Sequence, residues 1–217
     1  MKLEACILTS PRPTSTFYET LHSMKAAGFI MPHVMDGLPG GGVSSSRNAS
    51  LATLEIMSQV VERYPFDMLL IVNDDVIFSL YTYKYLCEMV YPHSDSSLYS
   101  IYTPSGYSTS HKVGVTWNLE RKNHLLVGGI AYIYPRSVVK RILLTMDPKT
   151  VQYGFDREIG GWARDHGHKI WYHEPSLVQH IGMGGNSSLG HTFGDKIGRA
   201  STFKGDRNDY SSSSYEK

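Results

Sequence analysis

The sequence predicts an α/β fold built on a doubly wound sheet, and three observations carry that prediction. Short, mostly apolar runs at about residues 3–9, 29–35 and 67–72 have the composition of buried strands. Two longer segments between them, Thr14 to Ala27 and Ser45 to Arg63, space their apolar residues as helices do. The resulting order, strand, helix, strand, helix, strand, is that of parallel strands joined by crossover helices.

The first strand, Leu3 to Thr9, is broken by Ser10-Pro11-Arg12-Pro13. The helix that follows carries Phe17, Leu21 and Met24 on one face, and Gly28 closes it. Phe29 to Met35 reads as the second strand and ends at Asp36-Gly37, with Pro32 marking it as an edge. Beyond the loop Pro39-Gly40-Gly41-Gly42, the residues Leu51, Leu54, Ile56, Val60 and Val61 indicate the second helix. The third strand, Asp67 to Val72, runs directly into Asn73-Asp74-Asp75. In sheets of this kind ligands bind beyond the carboxyl ends of the strands, so Thr9 to Arg12, Asp36 and Asn73 to Asp75 share one rim. In the second half, Leu98–Thr103, Val113–Trp117, His124–Tyr134 and Lys169–His173 read as strands. Helices are expected over Pro135–Thr145, with proline in its first turn, and over Phe155–His166, ended by Gly167.

The chain has 217 residues, of which 41% are hydrophobic and 19% charged, enough for the core of one large domain. A formal charge of +1 gives no global pull toward nucleic acid or a membrane surface. No apolar stretch is long enough to span a bilayer, and the start, Met1-Lys2-Leu3-Glu4-Ala5, has no signal-peptide core. A cytoplasmic location is therefore expected. Cys6 and Cys87 lack metal-type spacing and read as buried free thiols.

Asp74-Asp75 is the strongest local signal. Adjacent carboxylates leaving an apolar strand repel each other unless something positive sits beside them. A hard divalent cation, Mn²⁺ or Mg²⁺, prefers carboxylate oxygens and shares its remaining ligand positions with substrate phosphates. An Asp-Asp turn or helix cap is the alternative for the dipeptide alone.

The run Asp67-Met-Leu-Leu-Ile-Val-Asn-Asp-Asp-Val-Ile-Phe resembles the metal-binding strand end, the DxD motif, of GT-A glycosyltransferases. Further segments match in order. Cys6 to Arg12 and Met35-Asp36-Gly37 are similar to the nucleotide-binding half of that fold. Gly128-Gly129-Ile130-Ala131-Tyr132-Ile133-Tyr134-Pro135-Arg136 is similar to its glycine loop near the donor sugar, and Gly154-Phe155-Asp156 to its acidic base motif. Leu177-Val178-Gln179-His180-Ile181-Gly182 with Ser187-Ser188-Leu189 is similar to its C-terminal histidine segment, as found in N-acetylglucosaminyltransferase IV-like enzymes. The match covers roughly residues 3 to 190. Two departures stand out: Asn73 replaces the first acid of the triplet, and Phe155 stands where the base motif usually has an acid.

The resemblance implies a Rossmann-like mixed sheet in a single domain over 1–194. About 1–110 would form the nucleotide-binding half and about 111–194 the acceptor half, with a polar, partly disordered tail at 195–217. It implies Asp75 as the direct metal ligand, Asp74 shared or one step behind it, and His180 completing the shell. Asp156 would be the base of an inverting transfer; the alternative for it is a helix cap, with Arg157 and Glu158 on the surface. Donor contacts are expected from Thr9, Arg12, Asp36, Arg47, Asn73, Gly128, Gly129, Ser187 and Ser188. The donor is a nucleotide-diphosphate sugar, with UDP-sugars tried first. A glycan, a protein or a modified DNA base remain as acceptors. Lys196, Arg199, Lys204 and Arg207 hint at a polyanion, but the interspersed Asp195 and Asp206 read as a solvated tail.

Four rival readings differ in what they need. A glycoside hydrolase needs two separated carboxylates and no strand-end acid pair. A nucleotidyltransferase usually carries a glycine-rich loop after its first strand, and Ser10-Pro11-Arg12-Pro13 lacks those glycines. A non-catalytic sugar-nucleotide binder would not need Asp75, Asp156 and His180 together, nor would a retaining enzyme need Asp156 as base.

Overall fold

The computed structural model describes residues 1–9, 15–36, 45–104, 116–120, 126, 129–182, 200 and 202–203. Their strands are β1 (Leu3–Thr9), β2 (His33–Asp36), β3 (Met68–Asn73), β4 (Val76–Phe78), β5 (Ser97–Ser100), β6 (Thr116–Leu119), β7 (Ala131–Pro135), β8 (Lys169–Glu174) and β9 (Val178–His180). The helices are α1 (Phe17–Ala26), α2 (Ser45–Arg63), α3 (Thr82–Glu88), α4 (Arg136–Thr145) and α5 (Phe155–Asp165).

Seven strands form one sheet in the order β2-β1-β3-β7-β5-β8-β6, and β4 and β9 form a separate ribbon. The strands β2, β1 and β3 are mutually parallel, as the crossover helices α1 and α2 require. β7 enters antiparallel between β3 and β5, and β6 lies antiparallel on β8, so the sheet is mixed. The doubly wound α/β class read from the sequence is thus the class observed.

Alternation along the strands divides the core into two layers. Met68, Leu70 and Val72 of β3 join Ala5, Ile7 and Ile133 in the cluster that also holds Met24, Ala27 and Leu86 from the α1 and α3 side. Leu69 and Ile71 point the other way, into the cluster with Leu54, Met57, Val138, Ile142, Ile159 and Trp162 of α2, α4 and α5. A run apolar on both faces is what a strand in this central position needs.

Several boundaries differ from the sequence reading. β2 begins at His33, not at residue 29: Pro32 has no N–H for the ladder, which confines pairing to the residues after it. β7 begins at Ala131, because Gly129 adopts a φ of +45° just before it. Residues 113–115, 124–125 and most of the tail lie outside the described residues. β4, α3 and β9 were not expected as elements; strands of three residues carry too little periodicity to read. Cys6 is buried, Cys87 is half-buried, and both are free thiols. No described helix is long and apolar enough to cross a membrane.

A buried histidine ties the far side of the sheet together. His173 of β8 is fully buried; its Nδ1–H donates to the Pro175 carbonyl at 2.7 Å, and its Nε2 accepts the Tyr85 hydroxyl at 2.7 Å. Both bonds are those of a neutral ring, and burial lowers its pKa from 6.5 to about 4 despite the opposing pull of the Pro175 carbonyl and Glu174. In the unfolded chain the same ring protonates near 6.5, so below that pH the unfolded state binds the extra proton first. Stability is therefore expected to fall as pH drops from 6.5 toward 4, by on the order of 3 kcal/mol from this group. Urea midpoints measured across that window check it, and His173→Gln is expected to flatten the slope.

Candidate active site

The carboxyl ends of β2, β1 and β3 lie side by side, because the registers pair Thr9 with Asp36 and Leu8 with Asn73. Asp36 is exposed at the sheet edge and Asn73 is half-buried. The chain then turns through Asp74 and Asp75 into β4. Both acids are buried, 2% and 5% exposed. Asp74 is turned inward: its Oδ2 accepts the Thr9 hydroxyl at 2.7 Å, and its backbone carbonyl accepts the Thr16 hydroxyl at 2.7 Å.

Asp75 faces a histidine brought from far along the chain. β4 and β9 pair antiparallel with Val76 opposite His180, and the Ile181 N–H donates to the Asp75 carbonyl at 2.8 Å. That register sets His180 Nε2 3.1 Å from Asp75 Oδ2, across 105 residues of sequence. Two donors held at right angles on one octahedral cation, each at about 2.1 Å, stand about 3 Å apart. The pair therefore fits a shared divalent ion as well as a direct hydrogen bond. Among the described residues no third His, Cys, Asp or Glu joins them. A site with two protein ligands leaves positions for phosphate oxygens and water, the usual arrangement for Mg²⁺ bound with a nucleotide.

The neighbouring β7 starts where β3 ends, and the Asn73 N–H donates to the Ile130 carbonyl at 2.9 Å. This brings Gly129 to the rim. A Cβ on Gly129 would lie 3.9 Å from the Cβ of Asp156, so the glycine turn and the first turn of α5 pack against each other. Asp156 is half-buried and its charge reaches the buried hydroxyls of Tyr132 and Tyr134, whose pKa values rise well above 10 through burial first, with the carboxylate adding to it.

Asp156 is not the cap of α5. The cap position is Gly154, without a side-chain cap, and Asp156 Oδ1 accepts the N–H of Arg157 at 2.9 Å. Glu158 and Arg157 are engaged rather than simply solvated. Glu158 Oε1 accepts the backbone N–H groups of Gln152 and Tyr153 at 2.8 and 2.7 Å, and the Arg157 guanidinium stacks 3.7 Å from the Tyr153 ring centre. From the other side, Arg47 Nε donates to the Val151 carbonyl at 2.8 Å and the Ser50 hydroxyl to that of Tyr153 at 2.8 Å. Arg47, read from the sequence as a nucleotide contact, thus ties α2 to the segment leading into Asp156.

Thr9, Asp36, Asn73, Asp74, Asp75, Gly129, Asp156 and His180 all lie along this rim and its β4–β9 ribbon. Arg12, Gly128, Ser187 and Ser188 lie outside the described residues, as do Lys196, Arg199, Lys204 and Arg207. Trp162 belongs to the core, stacked between His166 and His168 at 4.8 and 4.7 Å. Sequence reasoning missed Tyr102, just past β5, whose buried hydroxyl has its pKa raised by desolvation and then by the charge of Asp75. It also missed Thr16 and Thr20, although their spacing of four on one helix face was readable.

No protein-family model matches the chain, and no curated protein matches its sequence. Among solved structures, a Bacillus anthracis protein named as a glucose-1-phosphate thymidylyltransferase, in complex with sucrose, is similar over 83% of this chain and 90% of its own. The identity is 12% and the TM-score 0.47. A Drosophila β-1,4-galactosyltransferase 7 variant, in complex with manganese, UDP-Gal and xylobiose, is similar over 82% of this chain and 71% of its own. Here the identity is 16% and the TM-score 0.48. At that level neither likeness speaks to what this chain binds.

Proposed function

We propose that the chain is a divalent-metal-dependent glycosyltransferase of the GT-A type, moving a sugar from a nucleoside diphosphate, UDP first, to an acceptor hydroxyl with inversion. The observation that carries the reading is the β4–β9 register, which sets His180 Nε2 3.1 Å from Asp75 Oδ2 beside the carboxyl end of β3.

Asp75 and His180 are the residues that would hold Mn²⁺ or Mg²⁺, with Asp74 behind them, fixed by Thr9 and Thr16. When bound, such a cation supplies charge neutralisation at the departing diphosphate. Asp36 and Asn73 lie on the rim for contacts to the nucleotide, and the Gly129 turn lets the donor sugar lie close to the backbone. Asp156, facing that turn, takes the proton from the acceptor hydroxyl as its oxygen bonds to the anomeric carbon. The bond from that carbon to the diphosphate breaks, and the nucleoside diphosphate leaves. Arg47, Ser50 and Glu158 keep the segment before Asp156 in place.

Calorimetric titration of the full chain with UDP and UDP-sugars, in Mn²⁺ and again in chelator, tests the reading. Saturable binding that disappears with chelator is expected. No binding in Mn²⁺ would overturn the UDP donor, and equal binding in chelator would remove the metal from the site.

A further inference from the structure

We infer that Thr16 and Thr20, at the start of α1, are positioning residues for Asp75: their hydroxyls grip the two peptide groups on either side of it. The inference rests on the reading of Asp75 as a metal ligand given above. The Asp74 carbonyl belongs to the peptide group that enters Asp75, and the Thr16 hydroxyl donates to it at 2.7 Å. The Val76 N–H belongs to the peptide group that leaves Asp75, and it donates to the Thr20 hydroxyl at 3.0 Å. The carbonyl of that second group accepts from Ile181 N–H at 2.8 Å, so it is held from both sides. With both flanking peptide planes fixed, the backbone angles of Asp75 have little freedom, and its carboxylate is aimed before any ligand arrives.

The side chains are suited to this task. Thr20 is fully buried and Thr16 is 6% exposed, so neither hydroxyl has bulk water as an alternative partner. Thr16 occupies the N-cap position of α1, where a threonine ordinarily caps its own helix, yet it makes no such bond and spends its hydroxyl on Asp74. Both residues are β-branched, which restricts the hydroxyl to few rotamers.

The same helix supplies an internal control. Ser23, one turn further along the same face, accepts the Phe78 N–H at 3.2 Å. That bond also satisfies β4 from α1, but it lies two residues beyond the Asp75–Val76 peptide group. If the hydroxyls only satisfied the outer edge of β4, all three would matter alike. If Thr16 and Thr20 aim Asp75, they alone would govern the metal.

The test measures Mn²⁺ affinity in the presence of UDP, by titration followed through the paramagnetic signal of free Mn²⁺, alongside thermal melting without metal. It compares wild type with Thr16→Val, Thr20→Val, Thr16→Ser, Thr20→Ser and Ser23→Ala. Thr16→Val and Thr20→Val are expected to weaken Mn²⁺ binding about tenfold or more, the scale seen when groups supporting metal ligands are removed. The serine variants are expected to stay within about twofold of wild type, since they retain the hydroxyl. Ser23→Ala is expected to lower the melting point while leaving affinity unchanged. Thr16, closer to the surface, keeps the test decisive if Thr20→Val does not fold. Wild-type binding with undiminished affinity in the valine variants overturns this inference alone, and so does an equal loss in Ser23→Ala. A wild type that takes no Mn²⁺ overturns the metal reading and this inference with it.

Discussion

Asp156→Asn is expected to lower the turnover number of sugar transfer by about 10²–10⁴-fold, the usual contribution of a positioned general base. The substitution is nearly isosteric, and the remaining amide oxygen can still accept the Arg157 N–H that Asp156 Oδ1 accepts at 2.9 Å. The three supports of the preceding segment, from Arg47, Ser50 and Glu158, are untouched. Binding of UDP and Mn²⁺ should therefore match wild type. Steady-state transfer to whichever acceptor the wild type uses, measured with donor affinity in parallel, checks the split. Unchanged turnover would remove Asp156 as base and bring back the retaining alternative. Loss of donor binding along with turnover would make it a structural residue.

Asp75→Ala is expected to abolish metal-dependent donor binding, with an affinity loss of at least about 100-fold, or about 2.7 kcal/mol. On the proposed reading, one of the two protein donors among the described residues is removed, and His180 would not hold the ion alone. The metal-free protein should keep its stability to within about 1 kcal/mol, because losing the His180 contact is offset by relieving the charge on adjacent Asp74. Calorimetry with Mn²⁺ and UDP, together with a metal-free melt, separates the two effects. Wild-type affinity in Asp75→Ala would move the metal to other residues.

How much of this was legible in the sequence depended on range. α2 reads from Ser45 to Arg63 because its apolar residues from Leu51 to Val61 repeat over about three turns, and β1 reads from Leu3 to Thr9 because a proline-rich break follows it. The acid pair announces itself by following the apolar run of β3. β2, in contrast, is shortened by the local effect of Pro32, and β4 and β9 are too short for any pattern to appear. Residue type and resemblance singled out His180, but its approach to Asp75 depends on strand register, which no local sequence pattern encodes. Thr16, Thr20 and Ser23 look like the polar face of an amphipathic helix; only the structure shows that they bond to a strand. Glu158 reads as a surface acid for the same reason, since its partners are backbone N–H groups five and six residues upstream.

On the proposed reading, the β4–β9 ribbon would also link ion binding to the order in which the chain folds. Its two strands come from opposite ends of a loop of about a hundred residues, and closing such a loop costs entropy before any contact within it is gained. The rim at the carboxyl ends of β2, β1 and β3 can form from the first three strands as soon as they pair, whereas the Asp75–His180 pair must wait for the C-terminal segment to dock. An ion gripping both residues would act as a removable crosslink across that loop, stabilising only chains that have completed it, by an amount that grows with the logarithm of ion concentration. In this fold the cation would therefore be a reporter of finished folding as well as a participant in chemistry.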